Sequence, residues 1–144
     1  MKGEIKWLCF WILLAVVIVI AALICLPGGK VVLRSGTLIS IGGIALFVAG
    51  GALVFFTVKE KTAGRLKTLL ILTGASAVGI TAGVILHNVV YGLFISLFGA
   101  DFWKRIGLMD EPVFFVFALI VCPIAFLIGS IGTVVYYLKH RNRK

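Results

Sequence analysis

Four stretches without a single Lys, Arg, Asp or Glu take up most of this 144-residue chain: Trp7–Gly29, Gly36–Val58, Thr68–Ala100 and Pro112–Leu138. Each exceeds the roughly 20 helical residues that cross a hydrocarbon core of about 30 Å. Lipid offers a backbone no hydrogen bonds, so a segment of this kind must close its own as a helix. The sequence therefore predicts an all-α integral membrane protein. Its fold class is a four-transmembrane-helix bundle with spans near residues 7–26, 37–58, 68–91 and 113–138. The connections are too short for a water-soluble domain, so residues 1–144 are read as a single membrane domain.

Charge then sets the orientation. Only 13% of residues are charged, against about 25% in soluble domains. The net charge of +9 is carried at the span ends and not as a stripe, which argues against nucleic acid as a partner. Lys2, Lys6, Lys59, Lys61, Arg65, Lys67, Lys139, Arg141, Arg143 and Lys144 fall on one side, and Lys30, Arg34, Lys104 and Arg105 on the other. Cytoplasmic loops carry the excess of Lys and Arg. Both termini and the middle loop are thus expected in the cytoplasm of a multi-pass cell-membrane protein. The bias also argues against a dual-topology dimer. The basic tail Lys139–Lys144 suits anionic lipid headgroups, at roughly 1 kcal/mol per cation near the surface. The apolar run after Met1–Lys6 is longer than the roughly 7–15 residues of a signal-peptide core, so the first span is expected to stay uncleaved.

Cys9, Cys25 and Cys122 all lie in apolar spans, without a CxxC pair or a neighbouring ligand at metal spacing. They read as small apolar packing residues, and the sequence implies no cofactor and no metal.

The helix faces carry the next layer of information. Span one is almost purely Leu, Ile, Val and Ala, with Trp7 and Trp11 at its cytoplasmic edge. It reads as lipid-facing or loosely packed, and Pro27-Gly28-Gly29 should end it. On span two, Gly42, Ala45, Ala49 and Ala52 share a face. Ala75, Gly79 and Gly83 do so on span three, and Ala125, Gly129 and Gly132 on span four. Small residues at such spacing let helix backbones approach closely in lipid. Pro123 lies inside span four and should kink it.

Span three is anomalous in length. Thr68–Ala100 as one helix would rise about 50 Å, more than the hydrocarbon accommodates. The reading adopted is a bend at Gly92 with an interfacial amphipathic segment over residues 92–107, a re-entrant loop being the alternative.

One polar group stands out: Ser76, His87, Asn88 and Tyr91 on span three, with His87 and Tyr91 one turn apart on the same face. An intramembrane ionisable group is a functional candidate by default, and Asp101, Asp110 and Glu111 lie on the same side as potential partners. Against this stands a structural role, in which the imidazole is interhelical glue. A single His with separated carboxylates does not make a zinc site. Ser76 and His87 stand about 16 Å apart along the helix, which argues against a nucleophile–base pair, so the chain is read as no enzyme. With no charge in any span, proton-coupled exchange would rest on His87 alone. The expected role is a non-catalytic structural or accessory subunit of a membrane assembly, self-associating or bound to a partner subunit. The alternative is a passive path for a small solute, lined by Thr73, Ser76, Thr81 and Asn88.

Overall fold

The computed structural model describes residues 4–25, 36–108 and 110–141. Every element among them is helical: α1 (Ile5–Cys25), α2 (Gly36–Lys59), α3 (Gly64–Phe98), α4 (Phe102–Arg105), α5 (Pro112–Val116), a π-helical turn (Phe117–Val121) and α6 (Cys122–Arg141). α5, the π turn and α6 follow one another without a break. Among the described residues four helices are long and apolar enough to span a membrane: α1, α2, α3 and the continuous run Pro112–His140. The Pro27-Gly28-Gly29 stop, Lys30, Arg34 and the last three tail residues lie outside the described residues.

α3 is the central helix and packs most extensively on α2 and on α6, while α1 packs on α2. Its seam with α2 is a backbone contact. A Cβ placed on Gly50 would lie 2.7 Å from the Gly74 carbonyl oxygen, and one on Gly74 would lie 2.7 Å from the Gly50 oxygen. Each glycine thus turns an α-hydrogen toward the other's carbonyl, a geometry that recurs where helices meet closely. The Thr81 hydroxyl donates across the same seam to the Gly43 carbonyl, 2.9 Å. On the α6 side a Cβ on Gly129 would meet Thr73 Oγ1 at 2.6 Å and the Thr73 nitrogen at 2.9 Å. Farther along, Gly79 receives the Cys122 thiol and Gly83 receives Ala118.

The four bundle ends gather in a consistent way. Where α1 begins, Trp7 packs edge-on to Tyr137 near the end of α6, with ring centroids 4.8 Å apart. Lys6 Nζ lies 3.4 Å from Glu60 Oε2 and donates to Thr62 Oγ1 at 3.1 Å, tying α1 to the α2–α3 turn. This is the basal end; the opposite, distal end holds the α3–α5 connection. The core crosses all the long helices, through Phe10 and Leu13 of α1, Leu46 and Leu53 of α2, Leu70 and Ala77 of α3, and Phe126 of α6.

Two sequence expectations change, and a third gains its structural detail. Span one is not wholly lipid-facing, because Phe10 and Leu13 are completely buried. A uniform run of apolar side chains carries no periodicity, so its inward stripe left no mark. The third helix does not end at Gly92. It continues for 35 residues to Phe98, and the chain turns at Gly99, whose φ of 91° only glycine adopts readily. Its rise is about 52 Å at about 1.5 Å per residue. Finally, the proline in the fourth span is accommodated one turn upstream. Pro123 has no N–H and its ring would press on the carbonyl four residues back. The π turn over Phe117–Val121 shifts the register there, and the Cys122 amide bonds five residues back to the Phe117 carbonyl.

Candidate functional site

At the distal end, α3 presents the His87 imidazole to the residues that start α5. Glu111 is the N-cap: its carboxylate accepts from the amides of Val113 at 2.7 Å and Phe114 at 3.0 Å. These are among the orphan donors of a helix start, and negative charge is favoured there by the helix dipole. Pro112 occupies the first turn, where its missing N–H costs nothing. Asp110 in turn accepts from the Glu111 amide at 2.7 Å, so the two carboxylates are fixed by local backbone bonds.

His87 fits between them. Nδ1 is 3.0 Å from the Glu111 carbonyl oxygen and 3.4 Å from Glu111 Oε2. Nε2 is 3.4 Å from Asp110 Oδ2. A carbonyl only accepts, so Nδ1 carries a proton and donates to it. The contact at Nε2 is attractive only with a proton between nitrogen and carboxylate oxygen. Glu111 is 4% exposed, whereas the Asp110 side chain is 50% exposed, so the Glu111 side of the contact is the better shielded from water.

Aromatic rings wall the imidazole. Tyr91 stacks on it, centroids 6.4 Å apart and 18° between planes, and Phe115 approaches at 5.6 Å. Tyr91 stacks in turn on Trp103 of α4, at 5.9 Å and 11°, and the buried Trp103 indole donates to the Tyr91 carbonyl, 3.4 Å. Arg105 closes this distal hairpin by donating to the Phe98 carbonyl at the end of α3. Among the described residues no group of three His, Cys, Asp or Glu side chains could hold a metal ion.

The other candidates scatter. Ser76 is buried. Thr73 bonds its own helix at Leu69 and lies in the α3–α6 seam. Thr81 lies in the α2–α3 seam, and Asn88 is exposed, donating to the Val84 carbonyl of its own helix at 2.7 Å. These side chains do not line one path. Comparison of the chain with protein-family models, with curated proteins and with solved structures finds no match.

The small-residue faces are placed as follows. Gly42 lies against Ile20 of α1, Ala49 packs on the core, and Ala45 and Ala52 are half-buried. Gly79, Gly83, Gly129 and Gly132 all meet neighbouring helices, Ala125 is half-buried and Ala75 is exposed. Sequence reasoning missed Gly50 and Gly74, the tightest pair of the α2–α3 seam. It also left Trp103 and Phe115 out of the His87 environment. The capping pattern Asp-Glu-Pro before an apolar run was the available signal for Glu111.

Proposed function

We propose that this chain is a non-catalytic structural or accessory subunit of a cell-membrane assembly, with both termini in the cytoplasm. The observation that carries the reading is where its polar atoms go. Thr73, Thr81, Asn88 and His87 each bond a carbonyl of this same chain, and both His87 nitrogens face acidic groups that hold the start of α5. Thr81 and His87 reach across to another element, and this use in tying the bundle supports a scaffold over a catalyst, while the dispersal of all four over separate surfaces argues against a solute path. The exposed surface of the long helices is mostly apolar, which suits a partner helix or a second copy as well as lipid.

The distal segment 92–107 is assigned to the membrane interface. Leu93, Leu97 and Phe98 are each at least half exposed and belong in a partly apolar layer, while Lys104 and Arg105 face outward. A tilt of about 30° would fit a helix of about 52 Å within the roughly 45 Å of core plus headgroup regions. Orientation follows from the division of basic residues.

Gentle-detergent purification from native membrane with native mass measurement tests the role. A stoichiometric partner or a defined oligomer is expected, and a lone monomer in mild detergent refutes it. Cysteine labelling tests the orientation: positions 61 and 140 should react from the same side, and position 101 from the other.

A further inference from the structure

At the basal end, the start of α1 and the end of α2 leave a groove of about 460 Å³ lined by Ile5, Phe56, Lys59, Glu60 and Lys61. Its apolar floor is Ile5 and Phe56. Its rim is cationic: Lys59 Nζ stands 5.5 Å over the Phe55 ring and 6.0 Å from the Phe56 ring, and Lys61 is exposed beside it. Glu60 brings a negative charge to the same groove, but Lys6 lies 3.4 Å from its carboxylate, whose side chain is only 9% exposed. The charge facing outward is therefore that of the two lysines.

The backbone adds an independent observation. α2 ends with the Lys61 amide bonded to the Val58 carbonyl and the Thr62 amide to the Thr57 carbonyl. This is the Schellman pattern, whose left-handed position normally takes glycine. Lys61 occupies it at φ 51°. A lysine there carries a backbone cost that glycine would not, and the residue lines the groove.

We propose that this groove binds one anionic phospholipid of the adjoining leaflet, its phosphate held by Lys59 and Lys61 and an acyl chain lying on Ile5 and Phe56. Basic pockets between membrane helices on the cytoplasmic side bind such headgroups. The inference rests on the chain being embedded in a membrane and not on its role in an assembly.

The test is native mass spectrometry of full-length protein equilibrated with equal phosphatidylglycerol and phosphatidylcholine. Retention of one phosphatidylglycerol in preference to phosphatidylcholine is expected. At roughly five-fold per lysine, K59Q/K61Q should lower that preference on the order of 25-fold, with the helical circular-dichroism signal unchanged. K67Q/K139Q removes the same charge from the same end and should leave it intact. Equal losses in the two double variants would mean a diffuse surface effect and overturn the site. Lys61→Gly should raise thermal stability while lowering retention about five-fold; undiminished retention overturns the role of Lys61. Displacement of the lipid by millimolar inorganic phosphate would overturn the assignment to a membrane lipid.

Discussion

Replacing Gly50 by alanine puts the central seam to a quantitative test. The new Cβ would stand 2.7 Å from the Gly74 oxygen, 2.9 Å from the Ala77 Cβ and 3.2 Å from the Val78 nitrogen. Ordinary contact begins at 3.4 Å, so α2 and α3 must part by about 0.7 Å. Two of the three obstructing atoms belong to helix backbone, so rotating a side chain gives no relief. A gap of 0.5–1 Å forfeits about a quarter to a half of each dispersion contact along the seam, where Leu46, Leu53, Leu70 and Ala77 are buried. Overpacking of this kind costs about 1–3 kcal/mol, and alanine returns up to about 1 kcal/mol of helix propensity. The net expectation is a loss of about 1–2 kcal/mol, with Gly50→Val losing more. Gly51 is the control, since a Cβ there meets nothing within 4 Å, and Gly51→Ala should be neutral or mildly stabilising. Unfolding in mixed micelles titrated with a denaturing detergent, followed by circular dichroism, measures both. Equal stability of the Gly50→Ala and Gly51→Ala proteins would refute the close approach of α2 and α3.

Gly129→Ala should destabilise more than Gly132→Ala, because the former meets the Thr73 backbone while the latter meets only the tips of Leu69; the same titration compares them. His87→Ala should cost about 1 kcal/mol and raise amide hydrogen exchange at residues 110–116 while leaving α1 and α2 protected; unchanged exchange there would remove the proposed tie. Lys6→Ala should cost on the order of 2 kcal/mol by leaving the buried Glu60 carboxylate unpaired, and Lys6→Met with Glu60→Met should recover most of it. Thr81→Val deletes the hydroxyl bond to Gly43 and should cost about 0.6 kcal/mol, the usual worth of such bonds between membrane helices.

The four apolar helices were legible because lipid tolerates so few charges: the described part of α2, Gly36–Lys59, falls on a stretch without charge up to its last residue. Which face of α2 packs on α3 was not legible. Glycines come in adjacent pairs, Gly42-Gly43 and Gly50-Gly51, so either of two faces could admit a neighbour, and only the position of α3 selects Gly50. The end of α3 was misread for a related reason. Gly92 and Gly99 look alike in sequence, but Gly92 keeps helical geometry with open space around it, and Gly99 takes the left-handed turn. His87 and Tyr91 one turn apart could be read directly from helical spacing. Asp101, Asp110 and Glu111 could all be named as partners for His87, but that Asp110 and Glu111 are the two that meet it depends on how the distal loop folds back, and that long-range closure has no local pattern. The π turn was illegible too: Pro123 announces a backbone problem without saying where it will be absorbed.

That π turn has a consequence for which lengths of chain this fold tolerates. On one side of it, Cys122 and Gly129 must mesh with Gly79 and Thr73; on the other, Glu111 must point at His87. The extra residue is absorbed inside the wide turn, which keeps the two sides in phase. Deleting one residue from Phe117–Val121 would restore ordinary winding and leave Glu111 close to the imidazole, because the wide turn already winds back about the 100° and 1.5 Å that one residue contributes. Between Cys122 and Gly129 no such turn takes up a change, and both must keep their places against Gly79 and Thr73, so loss of one residue should be tolerated at Phe117–Val121 and not there.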